Sequence, residues 1–228
     1  MKTQTLFKLY IAMALLYVIA LCLHEDLAWA AKPLLLPPVI AAVAGFSVFP
    51  TRRLLLLALV FSWFGDVTLM FAPHSQWYFI AGLLLFLIAH LMYIALFAKI
   101  KRSGSGTFYA LYAGWVAVAV YLCAMLYVLF PKLGALQIPV VVYAVVISTM
   151  LAMALLGLFR WPSPSNRYIF AGAVCFVLSD SLLAFDKFHT PLPMASVWIM
   201  STYLAAQGLL SVGILNQNKR QQESPAAC

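Results

Sequence analysis

Long apolar stretches alternate with short polar or proline-containing segments along the whole chain of 228 residues. About twenty apolar residues in a row let a helix cross a hydrocarbon core of roughly 30 Å. The pattern predicts eight transmembrane helices, at residues 6–23, 29–49, 54–72, 77–98, 107–130, 136–159, 168–186 and 193–215. The connections leave no room for another domain. We therefore expect residues 1–228 to form one integral membrane domain, an all-α helical bundle, with residues 216–228 as a cytoplasmic tail.

The composition is that of a membrane protein: 65% of the residues are hydrophobic, 9% are charged and the mean hydropathy is +1.00. In a soluble protein the net charge of +8 would suggest nucleic acid as a partner. Here, however, the eight-helix prediction places eleven of the fourteen Lys and Arg residues on one face of the membrane. The positive-inside rule then predicts that both termini are cytoplasmic, and the basic face suits anionic membrane lipids. The short loops favour a bacterial inner membrane.

The N-terminal segment has a second interpretation. A basic start, an apolar run and Ala28-Trp29-Ala30 together resemble a secretion signal with its cleavage site. The apolar run reaches the long end of a signal core, and cleavage would leave an odd number of helices. We therefore expect a retained first helix.

Two aspartates interrupt otherwise apolar helices in similar surroundings. Asp66 lies in segment 65–71 (GDVTLMF), and Asp180 lies 114 residues later in segment 179–185 (SDSLLAF). An ionisable side chain at bilayer depth costs roughly 2.5 to 3.5 kcal/mol on insertion scales, so it indicates a functional site with a partner. A single such aspartate can also serve only to hydrogen-bond a neighbouring helix or to pair with a lysine. Two aspartates in matched surroundings favour the functional interpretation.

The positions of the aspartates predict an internal repeat. They lie on the third and seventh predicted helices, which cross the membrane in the same direction, so the halves 1–102 and 107–215 would be parallel four-helix repeats. The loop 103–106 (SGSG) would be the boundary between them. A twofold axis between helices three and seven would make these helices neighbours. It would also bring the two carboxyl groups to about 4 to 8 Å from each other in a central cavity.

Other polar residues are candidates for the same site. His90 and Tyr93 share a face of the fourth predicted helix, and Tyr203 and Gln207 share a face of the eighth. His90 lies nearer the cytoplasm than Asp66, so it either lines the site or serves as a structural hydrogen-bonding residue. Lys32 near the outer end of the second helix is either an interfacial lysine or a cation for a lipid phosphate or an aspartate.

Motifs for other chemistry are absent from the sequence. It contains no Gly-x-Ser-x-Gly elbow and no His-Glu-x-x-His, and its four histidines are scattered. The four cysteines form no C-x-x-C pair. We expect no metal and no organic cofactor.

The chain resembles the YhhN-type lysoplasmalogenase family of eight-span membrane proteins over most of its length. The order and spacing of five segments carry the resemblance: Lys32-Pro33, 62–66 (SWFGD), 89–93 (AHLMY), 179–184 (SDSLLA) and 203–207 (YLAAQ). The resemblance implies hydrolysis of the sn-1 vinyl ether of a lysophospholipid within the bilayer, which yields a fatty aldehyde and a glycerophospho-ethanolamine or glycerophosphocholine. It also implies that Asp66 and Asp180 are the catalytic pair.

Physical chemistry is consistent with such a pair. Vinyl ether hydrolysis needs an acid and a negative charge, and two carboxyl groups in one apolar cavity do not both ionise easily. Ser179 and Ser181 can hydrogen-bond an ionised Asp180, so we expect Asp66 to be the acid and Asp180 the charged carboxylate. Parallel repeats with two intramembrane carboxylates are equally expected in a proton-coupled lipid or small-molecule transporter, which is the alternative function.

Overall fold

The computed structural model describes residues 2–101 and 108–223, and all the regular structure in these residues is helical. The loop 103–106, where we expect the repeat boundary, lies outside the described residues. The α-helices of the described part are α1 (Lys2–Leu23), α2 (Glu25–Ala31), α3 (Pro37–Ala44), α4 (Arg52–Leu69), α5 (Gln76–Lys99), α6 (Phe108–Leu129), α7 (Gln137–Arg160), α8 (Ser165–Phe188) and α9 (Ala195–Glu223).

The second predicted span is not one continuous helix. It consists of α2, a 3₁₀ turn at Lys32–Leu34, and α3. Pro33 lies in the 3₁₀ turn, and Pro37 and Pro38 open α3. Proline has no N–H to donate and its ring clashes with the preceding turn, so the helix breaks where these residues occur. The break places Lys32 at a bend inside the bundle instead of along a straight helix.

The protein is an all-helical, multi-pass membrane protein. Among the described residues, seven helical segments are long and apolar enough to cross a membrane, and one of these is the broken segment Asp26–Ala44. The third predicted span, α4, is not among these seven: it has 18 residues and carries three charged side chains, Arg52, Arg53 and Asp66. That α4 also crosses the membrane therefore stays a prediction.

The helices form a closed ring. In chain order around the ring, α1 packs on α3, α3 on α4, α4 on α5, α5 on α7, α7 on α8 and α8 on α9, and α9 returns to α1. Helix α6 lies outside the ring against α7 and α8. Only Leu111 and Leu129 of α6 are buried, so most of its surface is available to lipid.

The tightest helix pairs are α4 with α5 and α8 with α9. Small residues permit the close approach of α8 to α9: a Cβ atom added at Gly172 would lie 2.8 Å from the Leu210 side chain, and one at Gly213 would lie 2.7 Å from Ile169. Our expectation that the helices of the two aspartates are neighbours is wrong. Within the described residues, α4 packs mainly on α5 and α3 while α8 packs mainly on α9 and α7. The parallel repeat stays a prediction.

Candidate active site

A cavity of about 560 Å³ lies inside the ring, and both Asp66 and Asp180 line it. Asp66 is the fifteenth residue of α4 and Asp180 the sixteenth of α8. At about 1.5 Å per residue, each lies roughly 21 to 23 Å along its helix. Most of the remaining lining comes from the end of the bundle where α1, α4 and α8 finish and where α2, α5 and α9 begin. The cavity therefore joins the two carboxyl groups to that end of the molecule.

Asp66 is held by α9. It is 4% exposed, and Tyr203 donates a hydrogen bond from its hydroxyl to Asp66 Oδ2 at 2.6 Å. Lys32 and Asp180 both lie close enough to Asp66 for Coulombic interaction, the lysine by attraction and the aspartate by repulsion. Within the described residues, Asp66 forms no direct ion pair with Lys32 and no direct contact with the carboxyl group of Asp180. The space between these groups is part of the cavity.

Asp180 is held by α5 and α7. The hydroxyl of Tyr143 donates a hydrogen bond to Asp180 Oδ2, and His90 Nε2 lies 3.3 Å from the same oxygen. Tyr143 and His90 also touch each other, with 3.4 Å between the hydroxyl oxygen and Nε2. His90 is fully buried and its Nδ1 has no hydrogen-bond partner in the described residues. The side chain of Asp180 is 13% exposed, so it is the more accessible carboxyl group.

The ring of Phe176 connects the two arrangements. It makes an edge contact with His90, with 4.6 Å between ring centroids, and another with Tyr203 at 5.5 Å. Phe86 packs against both Phe176 and Tyr203. Protein interiors are close-packed, so a shift of His90 beside Asp180 would displace these rings and, through them, Tyr203 beside Asp66. The residues that orient the carboxyl groups thus belong to one rigid aromatic cluster.

Lys32 lines the cavity from the bend between α2 and α3. The indole N–H of Trp63 donates a hydrogen bond to the carbonyl oxygen of Pro33 at 2.7 Å, which fixes the bend on α4. The lysine side chain is half-buried. Lys32 therefore supplies a cation inside the bundle, within electrostatic range of Asp66.

The other sequence-predicted residues lie behind the cavity wall. The hydroxyl of Tyr93 donates a hydrogen bond to Gln207 Oε1 at 2.9 Å, and both side chains are fully buried. Among the described residues, neither these two nor His90 belongs to the lining of the central cavity, whereas Tyr203 does. His90 meets Asp180 and not Asp66. Direct substrate contact by Tyr93, Gln207 and His90 stays a prediction.

The serines beside Asp180 have different partners from those we expected. Ser179 donates to the carbonyl oxygen of Ile199 at 3.0 Å, and Ser181 donates to that of Val177 at 2.6 Å. A helical serine readily donates to the carbonyl one turn earlier, so a sequence neighbour is a poor guide to the partner. Sequence reasoning missed Tyr143 for a related reason: a single tyrosine in an apolar helix looks like any lipid-facing or core aromatic residue.

The fold and the site define a class: a multi-pass helical membrane protein whose central cavity is lined by the buried Asp66, by Asp180 and by Lys32, with Asp186 and Lys187 also in its wall. The model of the YhhN family matches residues 27–214, and the chain belongs to this family.

Curated relatives carry the name lysoplasmalogenase. The protein from Mycobacterium bovis is 35% identical over 179 residues, which is 76% of this chain and 64% of that protein. Human lysoplasmalogenase TMEM86A is 33% identical over 178 residues, 75% of this chain and 68% of that protein. Human lysoplasmalogenase TMEM86B is 32% identical over 204 residues, 84% and 78% respectively. The match thus spans less than two thirds of the mycobacterial relative. No solved structure matches the chain.

Proposed function

We propose that this protein is a lysoplasmalogenase, a membrane hydrolase that cleaves the sn-1 vinyl ether of a lysophospholipid. The observation that carries the proposal is the single cavity of about 560 Å³ that is lined by Asp66, Asp180 and Lys32. Relatives at 32% to 35% identity bear the name of this activity. A cavity among transmembrane helices suits a substrate that is itself a membrane lipid.

The reaction needs an acid, a negative charge and water. One carboxyl group donates its proton to the second carbon of the alkenyl chain, and the carbon–carbon double bond supplies the electron pair for the new C–H bond. The first carbon becomes an oxocarbenium ion, which the other carboxylate stabilises, as in glycosidases. Water adds to the first carbon and gives up a proton to a carboxylate. The hemiacetal then breaks into a fatty aldehyde and the glycerol hydroxyl, and the site is restored.

Asp66 is the proposed acid and Asp180 the proposed carboxylate. Asp180 receives its hydrogen bonds from Tyr143 and His90 on two other helices, which replace the serines in this role. Lys32 is proposed to bind the phosphate of the headgroup, because an ammonium group is a compact partner for phosphate. Apart from water, the groups proposed for these steps are side chains of this chain.

The test is aldehyde release from a lysoplasmalogen by the purified protein in detergent, run in D₂O with immediate borohydride trapping. We expect one deuterium on the carbon next to the aldehyde carbon, because the acid delivers a solvent-derived proton there. The matched 1-O-alkyl lysophospholipid has no double bond to protonate and should not be cleaved. Absence of aldehyde would contradict the proposal and favour a transporter, and aldehyde without deuterium would contradict the protonation step.

A further inference from the structure

Two narrow apolar pockets meet the central cavity at Asp180. The first, of about 40 Å³, lies between α4, α5, α7 and α8, and the second, of about 60 Å³, lies between α6, α7 and α8. Val140, Tyr143, Asp180 and Ala184 line both pockets. Asp180 alone of the described residues lines both of them and the central cavity. It therefore stands at the junction of a wide chamber that contains lysine side chains and a narrow apolar groove.

The groove leads towards lipid. Its outer wall is α6, the helix that packs outside the ring, and the partly buried Leu122, Met125 and Leu126 face it. One polar link, the hydrogen bond between Tyr121 and Ser181, ties α6 to α8 along this wall. Each pocket has room for only a few water molecules. An unbranched hydrocarbon chain fits such a groove, whereas a glycerophosphate headgroup needs the larger chamber.

The cations and the groove lie on different sides of the carboxyl groups. Lys32 and Lys187 line the central cavity and neither lines the two narrow pockets. In a lysophospholipid the vinyl ether separates a charged headgroup from a long apolar chain. A vinyl ether held at the carboxyl groups must therefore place its headgroup on one side and its chain on the other.

We propose that the groove formed by the two narrow pockets binds the first carbons of the alkenyl chain beyond the double bond, and that Ala184 sets the width of this groove. The remaining carbons run out between α6 and α8 into the bilayer. This inference rests on the proposed function. It adds the location of the chain and a residue, Ala184, that decides whether a long chain is accepted.

The experiment compares two lysoplasmalogens with the same headgroup, one with a long alkenyl chain and one with a propenyl chain. The variant Ala184→Phe fills the groove, so its kcat/KM for the long chain should fall about tenfold or more while that for the propenyl substrate changes little. The control is Ala117→Phe, since Ala117 is exposed on α6 and outside both pockets. It should leave both values unchanged. Equal losses on the two substrates, or no loss on either, would overturn the proposal.

A second variant guards against misfolding of the first. Met125→Trp adds bulk to the outer pocket from α6, which packs at the edge of the bundle, and should show the same selective loss. Binding is measured separately with a non-hydrolysable 1-O-alkyl lysophospholipid that carries a diazirine in its chain. Photolabelling of residues 122–126 is expected. Labelling that is confined to Tyr17, Leu21 or Trp29 of the central cavity, or that is absent from α6, would contradict binding of the alkenyl chain in the groove.

Failure of the proposed function would look different. In that case the wild-type protein would release no aldehyde from either substrate. An incorrect groove leaves both wild-type activities intact and removes only the chain-dependent effect of the substitutions.

Discussion

Two carboxyl groups of the cavity, those of Asp66 and Asp180, are held in different ways, although their sequence surroundings are alike. Asp66 takes one tyrosine hydrogen bond from α9 and lies within electrostatic range of Lys32. Asp180 takes its hydrogen bonds from two helices, through Tyr143 and His90, and borders the apolar groove. Matched aspartates in a sequence thus line one cavity but have different hydrogen-bond partners. Of the two, Asp180 borders the narrow apolar pockets as well as the central cavity.

The largest expected effect comes from removing either carboxyl group. Asp66→Asn and Asp180→Asn should each lower kcat by about 10² to 10⁴, the usual contribution of a general acid or base. Asparagine keeps the shape of the side chain, so the folded protein should remain. The measurement is aldehyde release by each purified variant, with Asp26→Asn as the control because Asp26 is exposed at the start of α2. Near wild-type turnover in either variant would remove that residue from the mechanism.

The tyrosine partners should separate the two aspartates. Tyr203→Phe removes the hydroxyl donor that stabilises the charge developing on Asp66 as this acid gives up its proton, so kcat should fall about tenfold to a hundredfold, the worth of a hydrogen bond to a charged group. Tyr143→Phe leaves His90 beside Asp180, so a smaller loss of about three- to tenfold is expected. Steady-state kinetics with Tyr127→Phe, which alters a largely exposed tyrosine of α6, provides the control. A greater loss in Tyr143→Phe than in Tyr203→Phe would reverse the comparison.

Lys32 should affect substrate binding more than chemistry. Its charge attracts the phosphate equally in the ground state and the transition state, so Lys32→Met should raise KM about tenfold with little change in kcat. Lys32→Arg keeps the charge and should restore most of the affinity. Lys99→Met is the matched control, because Lys99 is an exposed lysine at the C-terminal end of α5 and does not line the cavity. If kcat falls and KM stays constant, Lys32 acts on the aspartates instead of the headgroup.

The residue that precedes each aspartate should affect the stability of the fold. A Cβ atom at Gly65 would lie 2.7 Å from the ring of Phe86, so Gly65→Ala should destabilise the protein by about 1 to 3 kcal/mol. Ser179→Ala loses only the hydrogen bond to Ile199, worth about 0.5 to 1.5 kcal/mol. Thermal unfolding of each variant in detergent, compared with the wild type, measures both. Equal stability of Gly65→Ala and wild type would show that Phe86 moves freely.

The helices could be predicted from the sequence because apolar stretches report directly on helix length in a membrane. The broken second span was less visible, although Pro33, Pro37 and Pro38 mark where it bends. The ring order could not be predicted. Apolar faces on all sides of a helix do not indicate which helix lies against it. Within the described residues, the aspartate helices α4 and α8 each pack mainly on other helices.

For the site, the charged residues within apolar helices could be identified from the sequence, but their hydrogen-bond partners could not. Asp66, Asp180 and Lys32 stand out because a charge in an apolar helix is rare. Tyr143 does not stand out, since tyrosine is common in membrane helices, and its hydrogen bond to Asp180 depends on how α7 is rotated in the ring. The apolar groove is likewise invisible in the sequence because it is formed by contacts between helices that are distant along the chain.

The central claim is that the two carboxyl groups act as one unit in one cavity. The double variant Asp66→Asn/Asp180→Asn, compared with each single variant in the aldehyde-release assay, tests this claim most directly. Residues that act as a unit show strongly non-additive losses, so the double variant should be little slower than the slower single variant. A double variant whose loss equals the product of the two single losses would contradict the account and show that the two aspartates act independently.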